Sequence, residues 1–151
     1  MLVLTSFLIG TVSLHAAMLH QHYMALIFLL LFGTSTSHHS NYASTTAVAK
    51  FIYSADHALA RMAWLHVLMR CLYLPALSVV GTYVCLAYVS LVYLTIHSHS
   101  VYDQSRITST KMLHGTMHLA CCVGSHLLLW RIGAGSIIIM LKYPALDVYR
   151  L

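Results

Sequence analysis

The sequence predicts an all-α integral membrane protein, a helical bundle of three to four transmembrane helices forming one membrane domain over residues 1–151. Hydrophobic residues make up 60% of the chain and charged residues 7%, whereas soluble domains have about 25% charged residues. The sequence has no Glu, and its acids are Asp56, Asp103 and Asp147. So few charges could not cover the surface of a soluble fold of this size.

Apolar runs of membrane-spanning length recur along the chain. Residues 2–33 form either one tilted span or two shorter helices. Residues 74–97 lack charged side chains, and residues 112–131 lie between the cations Lys111 and Arg131, as in a helix anchored at both interfaces. Residues 50–72 follow a helical pattern, and they form a fourth span or lie in the interface. Membrane orientation stays open.

Two polar segments separate these runs. Residues 34–46, TSTSHHSNYASTT, are rich in Ser and Thr and predict a loop. His38 and His39 in this loop could bind a metal ion, but adjacent loop histidines usually face water, and that is the expectation for them. Residues 98–110 continue the preceding helix or form a second loop.

Charge and cysteine content exclude several kinds of site. The net charge of +5 comes from scattered cations rather than a basic block, so no nucleic-acid partner is predicted. These cations instead fit the membrane interface and lipid partners such as cardiolipin. The cysteines show no C-x-x-C spacing and are expected to be small buried hydrophobes, so neither a metal site nor a disulfide is predicted from them. They are Cys71, Cys85, Cys121 and Cys122.

The N-terminal region has no cationic start and no small-residue cleavage site, so it is expected to be retained. A short, very hydrophobic chain with few charges is typical of small subunits of mitochondrial inner-membrane complexes. A multi-pass protein of that membrane is therefore the expected localisation, with other subunits of such a complex as partners.

One polar stripe lies on the 112–131 helix. His114, His118, Cys121 and Ser125 fall at i, i+4, i+7 and i+11, on one helical face. Such a face suits a haem edge, a quinone headgroup or a metal ion. The alternative is a polar stripe packed against a neighbouring helix.

Two further polar groups stand near span ends. Ser54, His57 and Arg61 share a face that could bind a quinone carbonyl or a haem propionate. The alternative is an interfacial anchor.

The second group follows the 74–97 span and consists of His97, His99, Tyr102 and Asp103. Tyr and Asp could reprotonate a reduced quinone, with His as a relay. The alternative is a solvated helix end.

The order His57-x3-Arg61, an apolar span, LTIHSH, Tyr102-Asp103 and a final span resembles the small membrane-anchor subunits of succinate dehydrogenase, respiratory complex II, over residues 54–131. The stretch GSHLLLWRIGAG is similar to a segment of the larger anchor subunit. The resemblance implies a ubiquinone site and a haem b site. The implied quinone-binding residues are Ser54, His57, Arg61, Tyr102 and Asp103. The implied haem-binding residues are His97, His99, His114 and His118.

The expected function is a non-catalytic anchor subunit of a mitochondrial respiratory-chain complex, succinate dehydrogenase first. The chain has no paired carboxylates, phosphate-binding glycine loop or nucleophile with an orienting base. The alternative is a structural or assembly subunit of cytochrome oxidase, complex I or ATP synthase without a cofactor. A metal transporter ranks last, because Met112 and Met117 point to different helix faces.

Overall fold

The computed structural model describes residues 2–40, 46–100 and 107–142, with the backbone alone for residues 97–100, 107–110 and 136–142. These residues form five α-helices and one 3-10 turn without a β-strand, which confirms the all-α prediction. The helices are α1 (Leu2–Met18), α2 (His22–Ser40), α3 (Ala47–Leu72), α4 (Val80–Ser100) and α5 (Ile107–Lys142), and the 3-10 turn is Ala76–Val79.

The first apolar region folds as two helices rather than one tilted span. The amide of His20 donates to the carbonyl of Ala17 at 3.0 Å, and that of Gln21 donates to Ala16 at 2.8 Å. His20 has a φ of 54°, so this pair of hydrogen bonds forms the left-handed cap that commonly ends a helix. The chain then reverses, and the Ser6 and Ser35 hydroxyls meet at 3.0 Å between α1 and α2.

Helix α2 continues to Ser40, so the prediction of a loop from residue 34 is wrong for residues 34–40. The Thr34 hydroxyl donates to the carbonyl of Leu30 at 3.0 Å, and it is satisfied within the helix. Ser35 is buried against α1. Residues 41–45 lie outside the described residues, and Thr46 caps α3 by accepting from the amide of Ala49.

Within the described part of the chain, two segments are long and apolar enough to cross a membrane, namely Ala76–Ile96 and Lys111–Gly135. They coincide with the predicted spans 74–97 and 112–131. Pro75 stands before the 3-10 turn, where its missing N–H interrupts no helical hydrogen bond. Helix α5 runs past Arg131 to Lys142.

The helices form a ring in which α1 packs on α2 and α5, α2 on α3, and α4 on α5, while α3 and α4 touch more lightly. Cross-helix contacts give the directions. Thr5 meets His118 while Leu19 lies near Gly133, so α1 and α5 run parallel. The neighbouring pairs otherwise run antiparallel. The starts of α1, α3 and α5 and the ends of α2 and α4 therefore share one end of the bundle, called the polar end below.

The exterior of the bundle is far more apolar than that of a soluble protein, while most of the buried side chains are apolar and several are polar. Large apolar side chains point outward on every helix, and Leu4, Phe51, Leu77 and Trp130 are each more than 70% exposed. Several polar side chains are buried among the helices: Ser6, Ser13, Ser35, His39, Asp56, Thr82, His118 and Ser125. An apolar exterior around a polar seam is what lipid surroundings favour.

The contact between α4 and α5 is close at Gly124, where an added Cβ would lie 2.8 Å from the Cβ of Cys85. The Thr82 hydroxyl also donates to the Gly124 carbonyl at 3.1 Å. Small residues of this kind let membrane helices approach closely.

We expect Gly124→Ala to destabilise the bundle by about 1–3 kcal/mol, because Cys85 Cβ is fixed to its backbone and cannot turn away. Thermal unfolding of the detergent-solubilised chain measures the change. Gly135→Ala is the matched control. It meets nothing within 4 Å, so it should be neutral or stabilise by up to about 1 kcal/mol. Equal effects at the two positions would contradict the close contact.

Candidate functional site

Three imidazoles converge at the polar end. His39 comes from the last turn of α2, and His114 and His118 are one turn apart on α5. The ring centroids are 5.0 Å apart for His39 and His114, 5.4 Å for His39 and His118, and 4.7 Å for His114 and His118. One ring nitrogen from each residue lies within 4.8 Å of the others. These residues are called the histidine trio below.

His39 departs most from the sequence prediction. It is 9% exposed rather than facing water, because α2 extends past the expected loop start and carries it inward. Both of its ring nitrogens are buried and have no hydrogen-bond partner among the described residues. A buried polar group without a partner costs about 1–3 kcal/mol, which makes His39 a candidate ligand for an ion or a small molecule.

His118 is held from the other side by α1. Its Nδ1 lies 3.2 Å from the Thr5 hydroxyl, which itself donates to the carbonyl of Leu2 at 2.9 Å. With its one hydrogen given to Leu2, the Thr5 hydroxyl accepts from the tautomer of His118 that is protonated at Nδ1. Its Nε2 then carries the lone pair.

More aromatic side chains surround the trio. His38 stacks at 4.9 Å from His39, and Tyr53 of α3 lies between His38 and His57 at 5.2 and 4.4 Å. Ring contacts therefore connect five histidine side chains from α2, α3 and α5 at the polar end, namely His38, His39, His57, His114 and His118.

A second histidine pair lies deeper along α1 and α5. His126 Nε2 donates to the Thr11 hydroxyl at 3.0 Å, since that hydroxyl gives its own hydrogen to Leu8. His15 Nδ1 then donates to His126 Nδ1 at 2.9 Å, with the rings stacked. These contacts join α1 to α5 through side chains outside the predicted stripe of His114, His118, Cys121 and Ser125.

Among the predicted quinone residues of α3, Ser54 and His57 lie in the half nearer the polar end, and Arg61 lies near the middle of the helix. Ser54 and Arg61 are exposed, and His57 is half-buried. Arg61 donates from a guanidinium nitrogen to the hydroxyl of Tyr93 on α4 at 3.2 Å. The face proposed from the sequence is therefore turned toward α4.

The structure describes only part of the second predicted group, which stands at the end of α4. His97 and His99 lie in the last turns of α4, at the polar end, with side chains outside the described residues. Tyr102 and Asp103 also lie outside the described residues. Of the second group, the structure thus brings only the backbone of His97 and His99 to the polar end.

Sequence reasoning missed three residues near the site. These are His39, Thr5 and Asp56. Asp56 is buried on α3 with a carboxylate oxygen 3.4 Å from the Thr34 hydroxyl. Asp56 falls between Ser54 and His57, so a helical wheel already separates it from the Ser54–Arg61 face. That wheel is the signal that could have found it.

The cysteines agree with the prediction of buried hydrophobes in part. Cys71 and Cys122 are buried, and Cys85 and Cys121 are half-buried, all as free thiols. Ser125, predicted on the same face as the two α5 histidines of the trio, is buried as well.

Comparisons with models of known protein families, with curated proteins and with solved structures give no match. Function is therefore inferred from the geometry of the chain itself.

The His15–His126 pair gives a test of the polar seam. We expect His15→Phe and His126→Phe each to destabilise the bundle, because each leaves a ring nitrogen of its partner unpaired. The double variant should lose less than the sum, with a coupling of about 0.6 kcal/mol or more, in the range of interhelical hydrogen bonds in membranes. Unfolding of the four proteins in detergent measures this cycle, and strictly additive losses would contradict the pairing.

Proposed function

We propose that the chain is a multi-pass anchor subunit of a respiratory-chain complex in the mitochondrial inner membrane, with succinate dehydrogenase as the first candidate. The observation that carries the proposal is the apolar exterior of the bundle, together with the polar side chains buried between its helices. Its apolar exterior supports burial in lipid, and its polar seam supports a role in which side chains act between helices.

The side-by-side packing bears on the number of spans. Helix α1 runs parallel to residues 118–133 of α5, which lie inside a candidate span, and α2 packs along α1. Helices that pack side by side at the same depth cross the bilayer together. Helix α1 has 17 residues, which is near the lower limit for a membrane-spanning helix. All five helices are therefore proposed to cross, one more than the sequence predicts.

A ubiquinone site between α3 and α4 is the proposed activity of the polar end. Arg61 gives one N–H to Tyr93 and has further N–H groups that can donate to a quinone carbonyl. His57 can deliver a proton, while Ser54 adds a hydroxyl on the same face. Tyr102 and Asp103 follow α4 in sequence and complete the proposed set. Electrons would come from partner subunits.

Haem b stays a prediction of the resemblance. A b-type haem takes one axial imidazole from each side of its plane. The rings of the histidine trio contact one another directly, and His114 and His118 approach from the same helix. This arrangement leaves no slot for a macrocycle between them, so the proposed quinone site does not rely on haem.

The second candidate function is a structural subunit of another inner-membrane complex. The His15–His126–Thr11 contacts favour it, because these histidines are fully used in packing.

Affinity purification of the tagged chain from mitochondrial membranes tests the proposal. A flavoprotein and an iron–sulfur subunit should co-purify with it, together with succinate-dependent quinone reduction. Recovery of a different complex that lacks these subunits would contradict the assignment to succinate dehydrogenase and favour the second candidate.

Within that complex, Arg61→Gln should reduce quinone turnover roughly tenfold or more, because a charge-assisted hydrogen bond contributes about 1.5–3 kcal/mol. Arg70→Gln is the matched control, since Arg70 is equally exposed but lies at the opposite end of α3. Quinone reduction per assembled complex is the readout. A loss of assembled complex with unchanged turnover would instead show that Arg61 has only a structural role.

A further inference from the structure

We propose that His39, His114 and His118 bind one divalent first-row transition-metal ion of the zinc class, which links α2 to α5 at the polar end. This inference goes beyond the quinone site and does not depend on which complex the chain joins.

The spacing of the trio suits a single ion. Its ligand nitrogens lie within 4.8 Å of one another, and nitrogens around a tetrahedral zinc ion at about 2.0–2.1 Å lie roughly 3.4 Å apart. Small side-chain rotations close the difference. Two histidines at i and i+4 on one helix face are also a recurrent zinc-binding pair, and His114 and His118 have that spacing.

His39 supplies an independent indication of a ligand. It is 91% buried, and neither ring nitrogen has a hydrogen-bond partner among the described residues. It packs against the rings of both His114 and His118. A metal ion between the three rings would satisfy one of these nitrogens, which ring stacking alone leaves unpaired.

Thr5 acts as an outer-sphere partner. His118 donates from Nδ1 to the Thr5 hydroxyl, and this directs the lone pair of Nε2 away from α1. Metal-binding histidines commonly donate their second ring nitrogen to a neighbouring acceptor in this way, which fixes the tautomer and the ring orientation.

The donor set defines the class of ion. Imidazole nitrogens suit Zn²⁺, Cu²⁺, Ni²⁺ and related ions, whereas Mg²⁺ and Ca²⁺ require oxygen ligands. Three protein ligands leave a fourth position for water or another donor. By joining the end of α2 to α5, the ion would fix the segment of α2 that the sequence predicts to be a loop.

The test uses the full chain, purified in detergent with a tag that lacks histidine and then stripped with a chelator. Zn²⁺ is titrated against a chromophoric chelator, and Co²⁺ serves as an optical probe of coordination. We expect one Zn²⁺ per chain, a Co²⁺ spectrum of tetrahedral or five-coordinate nitrogen ligation, and a higher unfolding temperature with Zn²⁺ than without.

Substitutions locate the site. His39→Leu and His118→Leu should each weaken Zn²⁺ binding at least 100-fold, and Thr5→Val should weaken it about 10- to 100-fold. His39→Leu removes an unpaired buried ring, so the metal-free variant should be as stable as the metal-free parent and separates loss of the site from loss of the fold.

Two histidines outside the trio give matched controls. His22→Asn and His20→Asn should retain one Zn²⁺ with unchanged affinity, since both exposed residues lie where α2 begins, at the opposite end, and Asn tolerates the left-handed backbone of residue 20. The proposal is overturned by sub-stoichiometric Zn²⁺, by binding that survives both trio substitutions, or by binding lost in either control. None of these outcomes changes the result expected for quinone turnover.

Discussion

The need to satisfy polar groups without water governs this bundle. In hydrocarbon, a polar side chain must find its partner on a neighbouring helix or on its own backbone. The interface between α1 and α5, called the α1–α5 seam below, meets this requirement at two places through the same pair of hydrogen bonds. Thr5 and Thr11 each give their hydrogen to a carbonyl of their own helix and accept one from a histidine of α5. Apolar side chains fill most of the remaining core and also cover the outside.

The ring topology places this seam. Five helices joined by short reversals cannot alternate direction all the way around a closed ring, so one neighbouring pair must run parallel, and here it is α1 and α5. The same odd number brings the end of α2 to the start of α5, where His39 meets His114 and His118. His39 differs from the seam histidines because its nitrogens have no described partner, and the proposed ion supplies one.

The sequence predicted the helical class and the two segments of membrane-spanning length, in α4 and in most of α5. An uncharged apolar run of about 20 residues matches the length of a helix that crosses a bilayer. The sequence prediction failed where polar residues continue a helix. Residues 34–40 look like a loop, yet Thr34 bonds back to Leu30 and Ser35 is buried against Ser6. His39 was consequently predicted to face water. The turn at His20 contains neither Gly nor Pro, so residues 2–33 left one span and two helices equally open. His114 and His118 were chosen correctly as neighbours on one face, but their partner comes from α2, which local periodicity cannot reveal.

The contact between the apolar exterior and lipid can be measured directly through the two tryptophans of the chain. Trp130 is 72% exposed on α5, whereas Trp64 on α3 is half-buried with its indole nitrogen enclosed. In lipid nanodiscs, acyl-brominated lipids should strongly quench the fluorescence of Trp130 in the Trp64→Phe variant and quench Trp64 less in the Trp130→Phe variant. Aqueous iodide should quench neither well. Strong iodide quenching of Trp130 with little effect of brominated lipid would contradict a lipid-facing exterior, and with it the membrane-embedded bundle.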